Sequence, residues 1–246
     1  MLLGNLIGAI ENDCEWNRNP YFLNLSKQTF EFQDFLETQI QFLQAVMHFN
    51  RPMTVLAARL DNELHRSLVL HNVWEEHGEG DLRSSHRQTF LLLLERLGGL
   101  SQTEVFQKPV WPEMRLFNSA LDGVAANQSI EFGLACFGII ERLFAPISGE
   151  IGFQICRHQW LTEDKMIHYA LHQELDVQHS EDFFSCIQEA WISSEQHRTN
   201  IESGLRFGAT LFMQLYSDLW NHRKRRWQMN WEMNGSIQRA TAPMNR

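Results

Sequence analysis

His168-Tyr169-Ala170-Leu171-His172-Gln173-Glu174-Leu175-Asp176-Val177-Gln178-His179 contains neither glycine nor proline and reads as helix. Residues four and seven apart share a helical face, so His172, Asp176 and His179 project in one direction, with His168 one turn earlier on the same stripe. Two imidazoles and a carboxylate on one face make part of a metal site. A chain with eleven histidines also places them on surfaces and in satisfied cores. The reading therefore depends on partners from other helices.

The segments around this helix are helical too. Hydrophobic residues make up 43% of the 246-residue chain and charged residues 21%, ordinary values for a globular protein. The length suits one helical-bundle domain over residues 1–246, with its core at about 20–227. A net charge of −9 argues against nucleic acid as a partner. The four cysteines form no C-x-x-C, and with no basic leader at the N-terminus the expected location is the cytoplasm. No run approaches a membrane span.

In chain order, the start MLLGNLIGAIENDCE reads as a short helix. An amphipathic helix runs from about Gln28 to His48, with Phe32, Phe35, Leu36, Ile40, Leu43 and Met47 inward, and Asn50-Arg51-Pro52 breaks it. A second helix covers Met53 to Glu76. Gly78-Glu79-Gly80 is a turn, and Asp81 or Ser84 caps a helix carrying Phe90, Leu93 and Leu97 that stops at Gly98-Gly99. Another helix spans Glu113 to Ala125. Asn127 or Ser129 opens an apolar helix from Ile130 to Ala145, ended by Pro146. Thr162 caps the opening helix, a further one reaches Ile192, and Ser193 or Ser194 caps a last one to Trp227. Gly204 and Gly208, four apart, allow another helix to approach closely. The basic cluster His222 to Arg226 complements a helix C-terminus and reads as a solvated face, and the tail after Asn230 as frayed. The expected fold is all-α, a bundle of seven to eight helices.

A metal site in a bundle draws ligands from facing helices. Glu141 interrupts the apolar run FGLACFGIIERLFA, with Phe137, Gly138, Phe144 and Ala145 on its own face, and a carboxylate there needs a cation. A salt bridge to Arg or Lys is the ordinary alternative. His86 shares a face with Phe90, Leu93 and Leu97. Glu75 and Glu76 both fit a stripe through Leu68, and periodicity does not choose between them. Three carboxylates and three imidazoles suit two transition metals better than one zinc. The Glu-x-x-His pair of ferritin-like di-iron bundles is absent from the chain.

NVWEEHGEGDLRSSH (Asn72 to His86), Gly-x-x-Glu (Gly138 to Glu141) and His-x-x-x-Asp-x-x-His (His172 to His179) occur in this order. Together they resemble the iron-containing redox enzymes, the haem-oxygenase-like di-iron oxidases and oxygenases. That group is similar in fold to thiaminase II, pyrroloquinoline-quinone synthase and the chlamydial protein associating with death domains. The resemblance covers about residues 20 to 220 and implies a haem-oxygenase-like bundle. It implies metal ligation by Glu76, His86, Glu141, His172, Asp176 and His179, and it favours Glu76 over Glu75. Some members add a first-helix carboxylate. Here Gln41 stands at the corresponding place, with Glu37 one turn back and His48 two turns on.

The resemblance further implies two iron ions as Fe(II), with Mn/Fe as the other pairing. O₂ and a small organic substrate are then the partners, for C–H abstraction, oxidative C–C cleavage or N-oxygenation. No catalytic residue beyond the ligands is named. Gln41, His48, His168, Tyr169, Phe137 and Phe144 are candidates for a second shell or pocket wall, together with Phe42, Met47 and Ile140. Homodimers are common in the family. Two rival readings are a non-catalytic metal-holding or protein-interaction bundle and a cofactorless quinone-synthase-like oxidase. A thiaminase-like nucleophile would fall to Cys136, which nothing marks as activated.

Overall fold

The computed structural model describes residues 1–226, apart from the side chains of 170–175. The expected behaviour of the tail after Asn230 lies outside the described residues. Among those described there is no strand, and there are ten α-helices, more than the seven to eight expected from the sequence. They are α1 (Leu3–Cys14), α2 (Pro20–Ser26), α3 (Phe32–Ala58), α4 (Glu63–Glu76), α5 (His86–Gly98), α6 (Gln102–Phe106), α7 (Pro112–Asn127), α8 (Ile130–Arg157), α9 (His168–Ser193) and α10 (Glu195–His222). The excess comes from short pieces. Asn19, for example, caps α2 by accepting from the Tyr21 N–H, with Pro20 at the first helical position.

The two expected proline breaks do not occur. Pro52 lies inside α3 and Pro146 inside α8. An interior proline costs about 3 kcal/mol through its missing N–H and the ring's clash with the preceding turn. Around Pro52 that cost is met by burial of Met53, Leu56 and Ala57. Thr54 also donates its hydroxyl to the Asn50 carbonyl at 2.9 Å. Pro146 is flanked by buried Ala145, Ile147 and Ser148. In both places tertiary packing overrides local propensity.

Two helix starts differ from expectation: Asn62 caps α4, well after Met53, and Ser85 rather than Asp81 or Ser84 caps α5. Of the expected alternatives, Ser129 caps α8 and Ser194 caps α10. Asp81 instead opens a 3₁₀ turn, and so does the segment after Thr162. The helix starting at His168 runs through Ser180 without a break. The last helix stops at His222, short of Trp227. Nor is the basic cluster a plain solvated face. Arg225 pairs with Glu113 at 2.8 Å, and Arg223 and Arg226 pair with Asp34.

The frame of the molecule is α8 packed between α9 and α10, with α3 set against α4, α5 and α7. Gly204 and Gly208 lie on the α10 face that meets α8. A hairpin at Gly78 returns the chain from α4 to α5. Gly78 has φ +77°, and an added Cβ would lie 2.3 Å from the Asp81 carbonyl oxygen and 2.6 Å from the Ser85 nitrogen. The turn's tightness brings the last residue of α4, Glu76, against the first residue of α5, His86. Among the described residues no helix is long and apolar enough to cross a membrane.

Candidate metal centre

Four helices supply the centre. Glu76 Oε1 and His86 Nδ1 are 2.7 Å apart, and both side chains are buried. Glu141 projects from the middle of α8, where Gly138 one turn earlier leaves room for Phe183 and Phe184 of α9. Asp176 and His179 project from α9 and are fully buried. His179 Nδ1 lies 3.9 Å from Glu141 Oε1 and 3.8 Å from Asp176 Oδ1. Glu76, Glu141 and His179 each offer an atom within 4.8 Å of the others'. The side chain of His172 lies outside the described residues.

Burial dominates the electrostatics of this cluster. Burial, reinforced by the charge of Asp176, pushes the Glu141 carboxyl well above the usual carboxylate range. Burial does the same to Asp176. Burial works against charging His179, but the hydrogen bond to Glu75 and the charges of Glu141, Asp176 and Glu76 outweigh it and lift the group to about 9. Glu141 Oε1 and His179 Nδ1 are buried without a hydrogen-bond partner among the described residues. Two such atoms facing each other at 3.9 Å fit a metal ion between or beside them. Oxygen and nitrogen donors in this mixture suit iron.

The tie between the two glutamates has a geometric resolution. Glu76 turns into the centre, whereas Glu75 sits behind His179 and accepts from its Nε2 at 2.9 Å. Asn72, one turn before Glu76, donates to the His179 backbone carbonyl at 3.4 Å.

A cavity of about 50 Å³ opens beside Glu76, His86 and Glu141. Phe42, Ile140 and Phe144 line it, as expected from the sequence, and so do Phe49, Phe117 and Phe212. Met47 does not line it. Phe137 lies behind the wall, with ring centroids 5.3 Å from Phe49 and 6.1 Å from Phe183. His168 is buried with Nδ1 2.9 Å from the Thr89 hydroxyl, its ring 6.2 Å from that of His86. Tyr169 donates its hydroxyl to Gln39, which in turn donates to the Tyr21 hydroxyl at 2.8 Å.

The first-helix residues are engaged elsewhere. Gln41 donates to the Pro109 carbonyl at 3.1 Å and accepts from the Trp111 N–H at 2.9 Å. Glu37 pairs with Lys108 at 3.1 Å. His48 pairs with Asp122 of α7 at 2.8 Å. Cys136 is buried, and burial pushes its thiol far from the reactive thiolate range.

Residues 36–216 match a family model described as iron-containing redox enzyme. Solved structures share the fold across nearly the whole chain. A domain of unknown function with a haem oxygenase-like fold from Shewanella denitrificans aligns with a TM-score of 0.73 at 14% identity, over 89% of this chain and 91% of that one. A CADD-like protein of unknown function from Nostoc punctiforme gives 0.73 at 12% identity, over 89% and 97%. A TenA homologue from P. horikoshii gives 0.71 at 10% identity, over 90% and 99%. At such identities the likeness establishes the haem oxygenase-like fold. No curated protein matches the chain.

Proposed function

The chain belongs to the iron-containing redox enzyme family, and from that premise we propose that it is an O₂-dependent non-haem di-iron oxidase or oxygenase acting on a small, largely apolar organic substrate. Glu76, His86, Glu141, His172, Asp176 and His179 hold the two ions. The observation that carries the reading is the pair of buried, hydrogen-bond-free donor atoms, Glu141 Oε1 and His179 Nδ1, 3.9 Å apart. Left without a cation, such a pair costs several kcal/mol of desolvation.

Bound iron supplies redox chemistry with O₂, and the rest falls to the protein. The phenylalanine wall keeps water out and offers contact area to a hydrocarbon or aromatic body. Among the described residues lining the cavity there is no lysine or arginine to hold a substrate carboxylate, which favours a substrate without one at the buried end.

The test is anaerobic Fe(II) titration of the metal-free protein, followed by stopped-flow mixing with O₂. Uptake of about two irons per chain is expected, with an absorbance transient that His172→Ala and Glu141→Ala both lose. Iron uptake unchanged by either substitution would remove the centre. Uptake of iron without O₂ consumption would replace the oxidase by a metal-holding bundle.

The protonation of His179 gives a second expectation. Its folded-state value is about 9 against an ordinary 6.5, and Nδ1 must be free of its proton to ligate. Proton and metal therefore compete. Metal affinity should tighten as pH rises from 6.5 to 9, with proton release measurable in weakly buffered solution. An affinity flat across that window would take His179 out of the ligand set.

A further inference from the structure

Resting on the di-iron reading, we propose that Glu75 is a positioning residue of the centre. Its carboxylate takes the Nε2–H of His179 and holds that ring with the Nδ1 lone pair turned on the metal.

The geometry is that of a ligand braced from behind. A neutral imidazole carries one N–H, and a hydrogen bond from one ring nitrogen decides which nitrogen keeps a lone pair. His179 Nε2 lies 2.9 Å from Glu75 Oε2, while Nδ1, across the ring, faces Glu141 and Asp176 at 3.9 and 3.8 Å. The bond to Glu75 thus places the lone pair on the side of the carboxylates. A charged acceptor behind the ring also raises the basicity of the ligating nitrogen.

Adjacent helical residues diverge by about 100°. That divergence lets α4 place Glu76 in the centre and Glu75 behind the α9 ligand. The grip is doubled by the bond from Asn72 to the His179 carbonyl, so α4 holds both the backbone and the ring of the same residue. Glu75 is held in turn, with His71 Nδ1 3.2 Å from the same Oε2. It is the inner end of a link from solvent to the centre, since His71 is 57% exposed and Glu75 17%.

A competing role exists for the same carboxylate. His71, Glu75 and Glu79 offer donor atoms within 4.8 Å of one another at the surface, so Glu75 could instead ligate an outer ion. The engagement of Oε2 by two imidazoles speaks for positioning, and the experiment separates the two roles.

Co(II) serves as the probe, titrated optically into the full-length metal-free chain as wild type, Glu75→Ala, Glu75→Gln and Glu79→Ala. Proton NMR of the loaded proteins monitors the metal-shifted, exchangeable ligand N–H signals. Wild type is expected to take two Co(II) with a slowly exchanging His179 N–H. Glu75→Ala should keep the stoichiometry, bind roughly 10- to 100-fold more weakly and lose the slow exchange. Glu75→Gln, whose amide oxygen still accepts, should fall between, and Glu79→Ala should match wild type. Glu75→Gln preserves side-chain volume and decides the matter if Glu75→Ala fails to fold by circular dichroism.

Unchanged affinity and exchange in both Glu75 variants would overturn the positioning role and leave the di-iron reading standing. Loss of one Co(II) in both Glu75→Ala and Glu79→Ala would make Glu75 a ligand of an outer ion, and also overturn it. Failure of wild type to bind Co(II) would remove both readings together.

Discussion

Glu141→Leu is expected to abolish occupancy of at least one metal position while making the metal-free protein more stable. The two effects share one cause. Glu141 is 4% exposed, and burial with the neighbouring charge of Asp176 makes its ionised form unfavourable. Glu141 Oε1 is buried without a hydrogen-bond partner among the described residues, and a buried unsatisfied polar group costs about 1–3 kcal/mol, so its replacement by an apolar side chain of similar volume is expected to gain about 2 kcal/mol. For a chain of this size that raises the melting temperature by roughly 4–8 °C. Differential scanning calorimetry of wild type and variant, each with chelator and with excess metal, reads the result. With chelator the variant should melt higher. With metal the order should reverse, because ligand binding stabilises only the protein that can bind it. If the variant melts lower than wild type with chelator, Glu141 has a stabilising role without a cation, and the argument from its burial fails.

What the sequence could and could not tell follows from the range of the forces involved. Asp176 and His179 converge because they are three apart on one helix, a relation periodicity delivers directly. Glu141 stood out because charge inside an apolar run is anomalous wherever the run packs. Glu75 and Glu76 could not be separated by periodicity, since neighbouring residues flank the same stripe. Their different placement appears only once α9 lies alongside α4. The bonds of Gln41 to Pro109 and Trp111 likewise depend on where a distant loop folds back. The prolines misled for the opposite reason. The local rule is sound, but buried Met53, Leu56 and Ala57 after Pro52, and buried neighbours on both sides of Pro146, outweigh it. Phe212 had an available signal, being four residues beyond Gly208 and eight beyond Gly204. The stripe that meets α8 therefore runs on into the cavity wall.

That stripe carries the second large expectation. Gly204→Ala should destabilise the protein by roughly 1–3 kcal/mol net, lowering its melting temperature by several degrees. Propensity alone points the other way, since Ala is favoured over Gly by about 1 kcal/mol in a helix interior. The difference lies in what the new methyl would meet. At Gly204 a Cβ would fall 2.3 Å from the Phe132 carbonyl oxygen and 2.9 Å from the Phe132 Cα. At Gly208 it would fall 2.5 Å from the Cys136 carbonyl oxygen and 2.7 Å from Ile139 Cγ2. Most of these atoms are backbone of α8, which cannot swing aside as a side chain can, so α10 must move away. Gly8→Ala on α1 is the matched control, with nothing within 4 Å of the added carbon, and should stabilise. The two substitutions are chemically identical, so opposite signs in parallel thermal melts would isolate the helix contact. The second glycine should then cost less than the first, because helices already separated have less to lose on a further methyl. Since α8 carries Glu141 and α10 carries Phe212, the same displacement should open the cavity and weaken metal retention in Gly204→Ala. A Gly204→Ala protein melting at or above wild type would mean that α8 and α10 do not approach this closely in solution. The placement of Glu141 that depends on that contact would fall with it.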